Sequence, residues 1–113
     1  MSRRRRCEVA ARANADINGQ CNWLLDHSSV AITKKFLKAV NQTIREIAKN
    51  PDTGSFAETE YSNGSQLSIR CLPVRGFEKI AVYYVVKTDS VRILRVVHGA
   101  RRITSSMMID DER

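Results

Sequence analysis

The stretch Phe77–Val86 constrains the fold more than any other part of this 113-residue chain. From Ile80 onward it is apolar or aromatic at every position and rich in β-branched residues. A strand with one wet face would alternate with polar residues; a continuous run of this kind fits a central strand buried on both faces. Such a strand needs a neighbour on each edge. Leu67, Ile69 and Cys71 alternate with Ser68, Arg70 and Leu72 before it, and Val91–His98 follows it. Pro73–Gly76 and Lys87–Ser90 carry the turn residues between them. The C-terminal half is therefore predicted to be a run of antiparallel hairpin strands.

The N-terminal half has a different period. Ile17, Cys21, Leu24 and Leu25 make an i, i+4, i+7, i+8 stripe that predicts a helix over 13–26, weakened by Gly19. Phe36, Leu37, Val40, Ile44 and Ile47 predict a second helix over 30–49, with Lys34, Lys35, Lys38, Arg45 and Lys49 mostly outside the stripe. Ser28 or Ser29 supplies its N-cap, and His27–Ser28 break the two into a helical hairpin. Trp23 is expected to be a packing anchor at that break. Cys7 and Val9 suggest a short first strand over 5–10.

Asn50-Pro51-Asp52-Thr53-Gly54 stops the second helix. The polar stretch from there to Gln66, with Glu58 and Glu60, reads as a loop holding at most a short strand. Ile103, Met107 and Met108 suggest a short helix laid on the sheet. The expected fold class is α+β: an N-terminal strand and helical hairpin packed on a small antiparallel β-sheet. One domain is expected over 1–113, with a flexible basic arm at 1–4 and a flexible tail at 104–113. A hydrophobic fraction of 42% argues against a disordered chain.

The net charge of +7 predicts acidic company: nucleic acid, an acidic protein or an anionic membrane. Membrane is the weakest of these, because no amphipathic helix carries the charge in the right place. No apolar run approaches the roughly 18 residues of a membrane span. Three widely spaced cysteines, Cys7, Cys21 and Cys71, make neither a disulfide framework nor a metal knuckle. They suit reduced residues in a cytoplasmic protein. Asp16, Asp26 and His27 lack metal-site spacing, and no cofactor-binding motif is present, so no metal or cofactor is expected.

One dense polar cluster remains. Arg92, Arg95, His98, Arg101 and Arg102 lie on and after the last strand, with Arg70, Arg75 and Tyr83 or Tyr84 on neighbouring strands. Arginine forks bind phosphate, and histidine moves protons near neutral pH. The same residues also suit a solvated face or a dock for an acidic partner. Strict alternation puts Arg92 and Arg95 on opposite faces unless a bulge intervenes.

Val91-Arg92-Ile93-Leu94-Arg95-Val96-Val97-His98-Gly99-Ala100-Arg101 resembles the "I-L-R-V-hydrophobic-H-G-x-R" ending of ParE-type members of the RelE/ParE superfamily, the bacterial toxins of type II toxin–antitoxin systems also called plasmid stabilisation proteins. Ala15-Asp16-Ile17 resembles their "A-x-x-D-L", Ala31 and Phe36 their "A-x-x-F", and Pro51 and Gly54 their "P-x-x-G". Arg70 and Val74 through Tyr84 are similar to their "R … y-x-v-x-Y" strand pair. Arg102 stands where an Asp usually follows the final motif.

The resemblance implies a helical hairpin on a small antiparallel sheet and an acidic antitoxin that wraps the toxin. It also implies one of two activities. ParE-like members poison DNA gyrase and cleave nothing; RelE-like members are ribosome-dependent mRNA endonucleases. The "H-G-x-R" ending, and the lack of a lysine pair before Arg70, favour the ParE side. On that side Arg70, Arg75, Tyr83, Arg95, His98, Arg101 and Arg102 are the expected target- or antitoxin-binding residues. On the nuclease side His98, Arg70 and Arg95 would be catalytic.

Overall fold

The computed structural model describes residues 5–62 and 65–98, with the backbone alone across 58–62 and 65–67. The 1–4 arm, Arg101, Arg102, the helix expected around Ile103, Met107 and Met108, and the 104–113 tail lie outside the described residues. So do the side chains of Glu58 and Glu60.

The chain forms β1 (Arg6–Val9), α1 (Ala11–His27), α2 (Val30–Lys49), a short 3-10 turn (Pro51–Thr53), β2 (Ser55–Ser62), β3 (Ser65–Val74), β4 (Phe77–Val86) and β5 (Ser90–His98). The strands make one sheet in the order β1-β5-β4-β3-β2. The two helices therefore carry the chain from one sheet edge to the other, and the β2–β5 meander walks back to meet β1. The architecture is α+β, but the sheet is mixed rather than wholly antiparallel. β1 runs parallel to β5, with Cys7 opposite Val91. The other pairs are antiparallel.

The expected loop over 50–66 is instead the 3-10 turn and an eight-residue edge strand, Ser55–Ser62. Its polar composition is what an edge strand carries, because charge there discourages further pairing. The turn also moves: Pro73 lies inside β3 beside a register shift, and the reversal falls at Arg75–Gly76, where Gly76 has φ of +86°. Only glycine adopts that conformation without strain.

β4 is the two-sided strand its sequence predicts, with Ile80 to Val85 buried at every position. Ile80, Val82 and Tyr84 join Phe36, Val40, Ile47 and Leu24 on the helix side. Ala81, Tyr83 and Val85 join Ile69 and Leu94 on the other face. Phe36 meets Phe77 edge to face at 5.3 Å. Ser29 is the cap of α2, its Oγ accepting from the Ile32 N–H at 3.1 Å. The buried hydroxyls of Thr33 and Thr43 donate to carbonyls four residues back, so neither costs an unmade bond. Leu25 and Leu37, expected in the stripes, are exposed. Trp23 is no buried anchor: it is 53% exposed and stacks on His27 at 4.5 Å.

The exit of α2 is tied to the sheet through Tyr84. Its hydroxyl donates to the Pro51 carbonyl at 2.7 Å and accepts the Gly54 N–H at 2.9 Å. A Cβ at Gly54 would collide with that hydroxyl and come within 2.8 Å of the Cys71 carbonyl oxygen. Gly54→Ala should therefore lower the unfolding free energy in urea by about 1–3 kcal/mol. Gly19→Ala, at an exposed helical position with nothing within 4 Å, should raise it by roughly 1 kcal/mol.

Burial is the main cause that pushes the Tyr84 phenol above its usual range. The unfolded chain thus ionises first, from about pH 10. Stability held by the neutral phenol is present below that pH and falls as pH rises towards the folded value. Tyr84→Phe should start about 1–2 kcal/mol less stable. It should also show a shallower alkaline decline in urea midpoints, the remainder belonging in part to Tyr83, which burial shifts the same way.

Candidate functional site

β1 ends at Val9, opposite Ile93, so among the described residues the outer edge of β5 beyond Ile93 has no strand beside it. The Ala10 N–H extends the pairing by one bond to the Ile93 carbonyl at 2.9 Å. α1 then starts and runs past the open edge. Its Asp16 carboxylate takes the place of a strand there. Oδ2 accepts the Val96 backbone N–H at 3.0 Å and Arg95 Nε at 2.7 Å. Oδ1 accepts Arg95 Nη2 at 3.0 Å. The two side chains are only 14% and 9% exposed. Bidentate, charge-assisted bonds shielded from water are among the strongest polar contacts in a protein.

A bulge shapes this edge. Tyr83 pairs with Arg95 and Tyr84 with Ile93, which leaves Leu94 without a partner on β4. The alternation slips by one residue: Val91 and Ile93 face the helices, Leu94 faces away, and Val96 faces the helices again. By register Arg92 and Arg95 consequently start from the same sheet face, opposite Val85 and Tyr83, and the Arg95 guanidinium meets Asp16 of α1 at the open edge. Arg92 Nη1 lies 3.9 Å from Glu8 Oε1, a partly exposed pair of small energetic weight.

Arg70 joins the Tyr84 knot. Its Nη1 donates to the Gly54 carbonyl at 2.8 Å, and Nη2 lies 3.9 Å from the exposed Asp52 carboxylate. Pro51, Gly54, Arg70 and Tyr84 thus meet in one hydrogen-bonded cluster. Tyr83 is 8% exposed on the face away from the helices, where no base can stack on it. Arg75 is exposed on the β3–β4 turn.

His98 is exposed at the end of β5. It lines a groove of about 730 Å³ with Gln20 and Trp23 of α1, Gly76 of the β3–β4 turn, and Phe77 and Ile80 of β4. His98 pairs with Ile80, whereas Arg70 pairs with Tyr84 from the opposite side of β4. Four residues of strand separate those positions, about 13 Å along β4. The structure therefore does not bring His98, Arg70 and Arg95 around one point.

The three cysteines are half-buried free thiols, and burial pushes each upward in pKa, away from the reactive thiolate. Among the described residues, no three His, Cys, Asp or Glu side chains gather as metal ligands would. No helix among them is long and apolar enough to cross a membrane.

In the sequence Asp16 lacked metal-site spacing and stood in the "A-x-x-D-L" segment with no role assigned to it. Its partner lies 79 residues away, and the signal for the pair was the joint presence of the "A-x-x-D-L" and "I-L-R-V" segments. Asp16→Ala should cost about 3–5 kcal/mol in urea unfolding, since it removes the carboxylate that holds a buried guanidinium and leaves the Val96 N–H unmatched. Replacing both partners by apolar residues, Asp16→Leu with Arg95→Met, should cost less than Asp16→Ala alone.

These positions can be compared with known proteins. Among solved structures, the chain is similar to one described as "Chromosomal ParDE TA system from P. aeruginosa", with a TM-score of 0.67 and 14% identity over 84% of this chain and 96% of that one. At that identity the likeness is one of fold. No curated protein sequence matches. The family described as "ParE toxin of type II toxin-antitoxin system, parDE" matches residues 7–103, from the first strand past the final "H-G-x-R". The match spans both polar knots and most of the chain: this protein belongs to the ParE toxin family of type II toxin–antitoxin systems.

Proposed function

We propose that this toxin poisons DNA gyrase in the cytoplasm and is neutralised by an acidic cognate antitoxin. The observation that carries the reading is the engagement of the Arg95 guanidinium by Asp16. An RNA-cutting site needs a cation aimed at the scissile phosphate. Arg95 is buried and turned to Asp16, while Arg70 holds the Gly54 carbonyl. Both arginines serve the fold in this reading. His98 stands apart from them at the surface, where it suits contact with a protein better than proton transfer at a phosphate.

Contact with gyrase is assigned to His98 at the groove, to the Arg101 and Arg102 that follow it in sequence, and to Arg75 on the β3–β4 turn. Trp23, Phe77 and Ile80 provide the apolar part, and an exposed Trp beside cations has the make-up of an interface hot spot. The "H-G-x-R" ending, which resembles ParE-type members, supports the same assignment.

Purified protein should abolish supercoiling of relaxed plasmid by gyrase at micromolar concentration and leave cleaved DNA trapped on the enzyme. His98→Ala should weaken inhibition about tenfold, the loss of roughly 1.4 kcal/mol at one interface residue, with an unchanged melting temperature. Unaffected supercoiling, together with transcript cuts in a translating extract that vanish in His98→Ala, would establish the nuclease alternative instead.

A further inference from the structure

The N-terminal arginine run has no counterpart in the motifs discussed above, and the structure places its end. The Arg5 backbone N–H donates to the Ala48 carbonyl at 3.0 Å, so the chain enters the fold beside the last turn of α2. Arg6 is exposed next to it.

α2 presents a line of cations that leads to the same place. At 3.6 residues per turn, Lys34, Lys38, Arg45 and Lys49 fall within about 60° of one another around the helix. All four are exposed, and the line lies opposite the buried Phe36, Val40, Thr43 and Ile47. Lys34 and Lys49 are about 22 Å apart along the axis. Gln42 fills the gap in the line, and Glu46 is the one carboxylate of the helix. At the far end Arg45 and Lys49 face Arg75 across a hollow of about 310 Å³, with Gln42, Thr43 and Glu46 completing its wall.

We propose that this face of α2, with Arg75 and with Arg5 and Arg6 where the chain enters the fold, binds the phosphodiester backbone of duplex nucleic acid. The proposal goes beyond gyrase poisoning and does not depend on it. Two kinds of polyanion would be drawn to such a line, an acidic protein and a nucleic acid. A stable protein interface needs apolar anchors with charge at its rim. No aromatic residue lies on the line, and the exposed Val30 and Leu37 of α2 lie off it. A duplex is held by charge alone, because each phosphate neutralised releases condensed counterions. The 22 Å line spans about six phosphates of one strand at 3.4 Å spacing.

The test is fluorescence anisotropy of a labelled 20-base-pair DNA duplex with the full chain and no gyrase. Affinity should fall linearly with salt on logarithmic axes with a slope of about −4 to −6, a loss on the order of 10²–10³-fold between 50 and 200 mM. The triple variant Lys34→Gln, Lys38→Gln, Arg45→Gln should keep its melting temperature and make the slope shallower by about 3. Arg75→Gln should make it shallower by about 1 more. An RNA duplex of the same sequence, run in parallel, identifies which nucleic acid the face prefers. A slope unchanged in the triple variant would overturn the proposal, as would displacement of DNA by polyglutamate at equal charge. Because gyrase is absent, a failed inhibition assay leaves the result standing.

Discussion

The Asp16 carboxylate is the contact on which the layout of this protein depends. A strand edge left open by a short neighbour exposes N–H groups that must find an acceptor. Here β1 is too short to cover β5, and a side chain of the following helix supplies the missing acceptor. The same carboxylate fixes Arg95 through both oxygens. One group therefore closes the edge, orients the helix across it and pairs with a cation taken out of water. α1 needs such a tie, since Ala13 and Leu24 are its only fully buried side chains among those that face the core.

A second knot holds the other end of the sheet. Tyr84 and Arg70 secure the Pro51–Gly54 turn, where α2 hands the chain to β2. The residues that make the chain resemble its family are largely the residues of these two knots. Asp16, Pro51, Gly54, Arg70, Tyr84 and Arg95 are occupied with holding elements together. The two surfaces proposed for partners, the groove at Trp23 and His98 and the outer face of α2, lie outside them. This division explains how one scaffold can serve different targets, because the architecture is specified by buried pairs and the surfaces are left to vary.

Much of the fold was legible before any coordinates. The unbroken apolar run from Ile80 to Val85 announced a central strand, and burial at each position agrees. The α2 stripe and its Ser29 cap were equally plain, because period and capping chemistry are local. The strand β2 was hidden, since an edge strand shares the composition of a loop and its pairing partner β3 is not a local property. The parallel β1–β5 pair was hidden for the same reason. Trp23 misled because a large aromatic side chain at a helix break is usually covered, whereas here it lines an open groove.

The candidate site divides along the same line. The sequence by itself determined the α+β class, the helical hairpin, the two-sided strand and the concentration of arginine near the last strand. These follow from spacing along the chain and from composition, which need no third dimension. Only the tertiary structure decided what each arginine does. The bulge at Leu94 put Arg92 and Arg95 on one face against strict alternation. α1 brought Asp16 to Arg95 across 79 residues, and the helix exit brought Gly54 to Arg70. Whether a cation is spent on the fold or offered to a partner depends on which distant carboxylate or carbonyl reaches it, and that is set by packing.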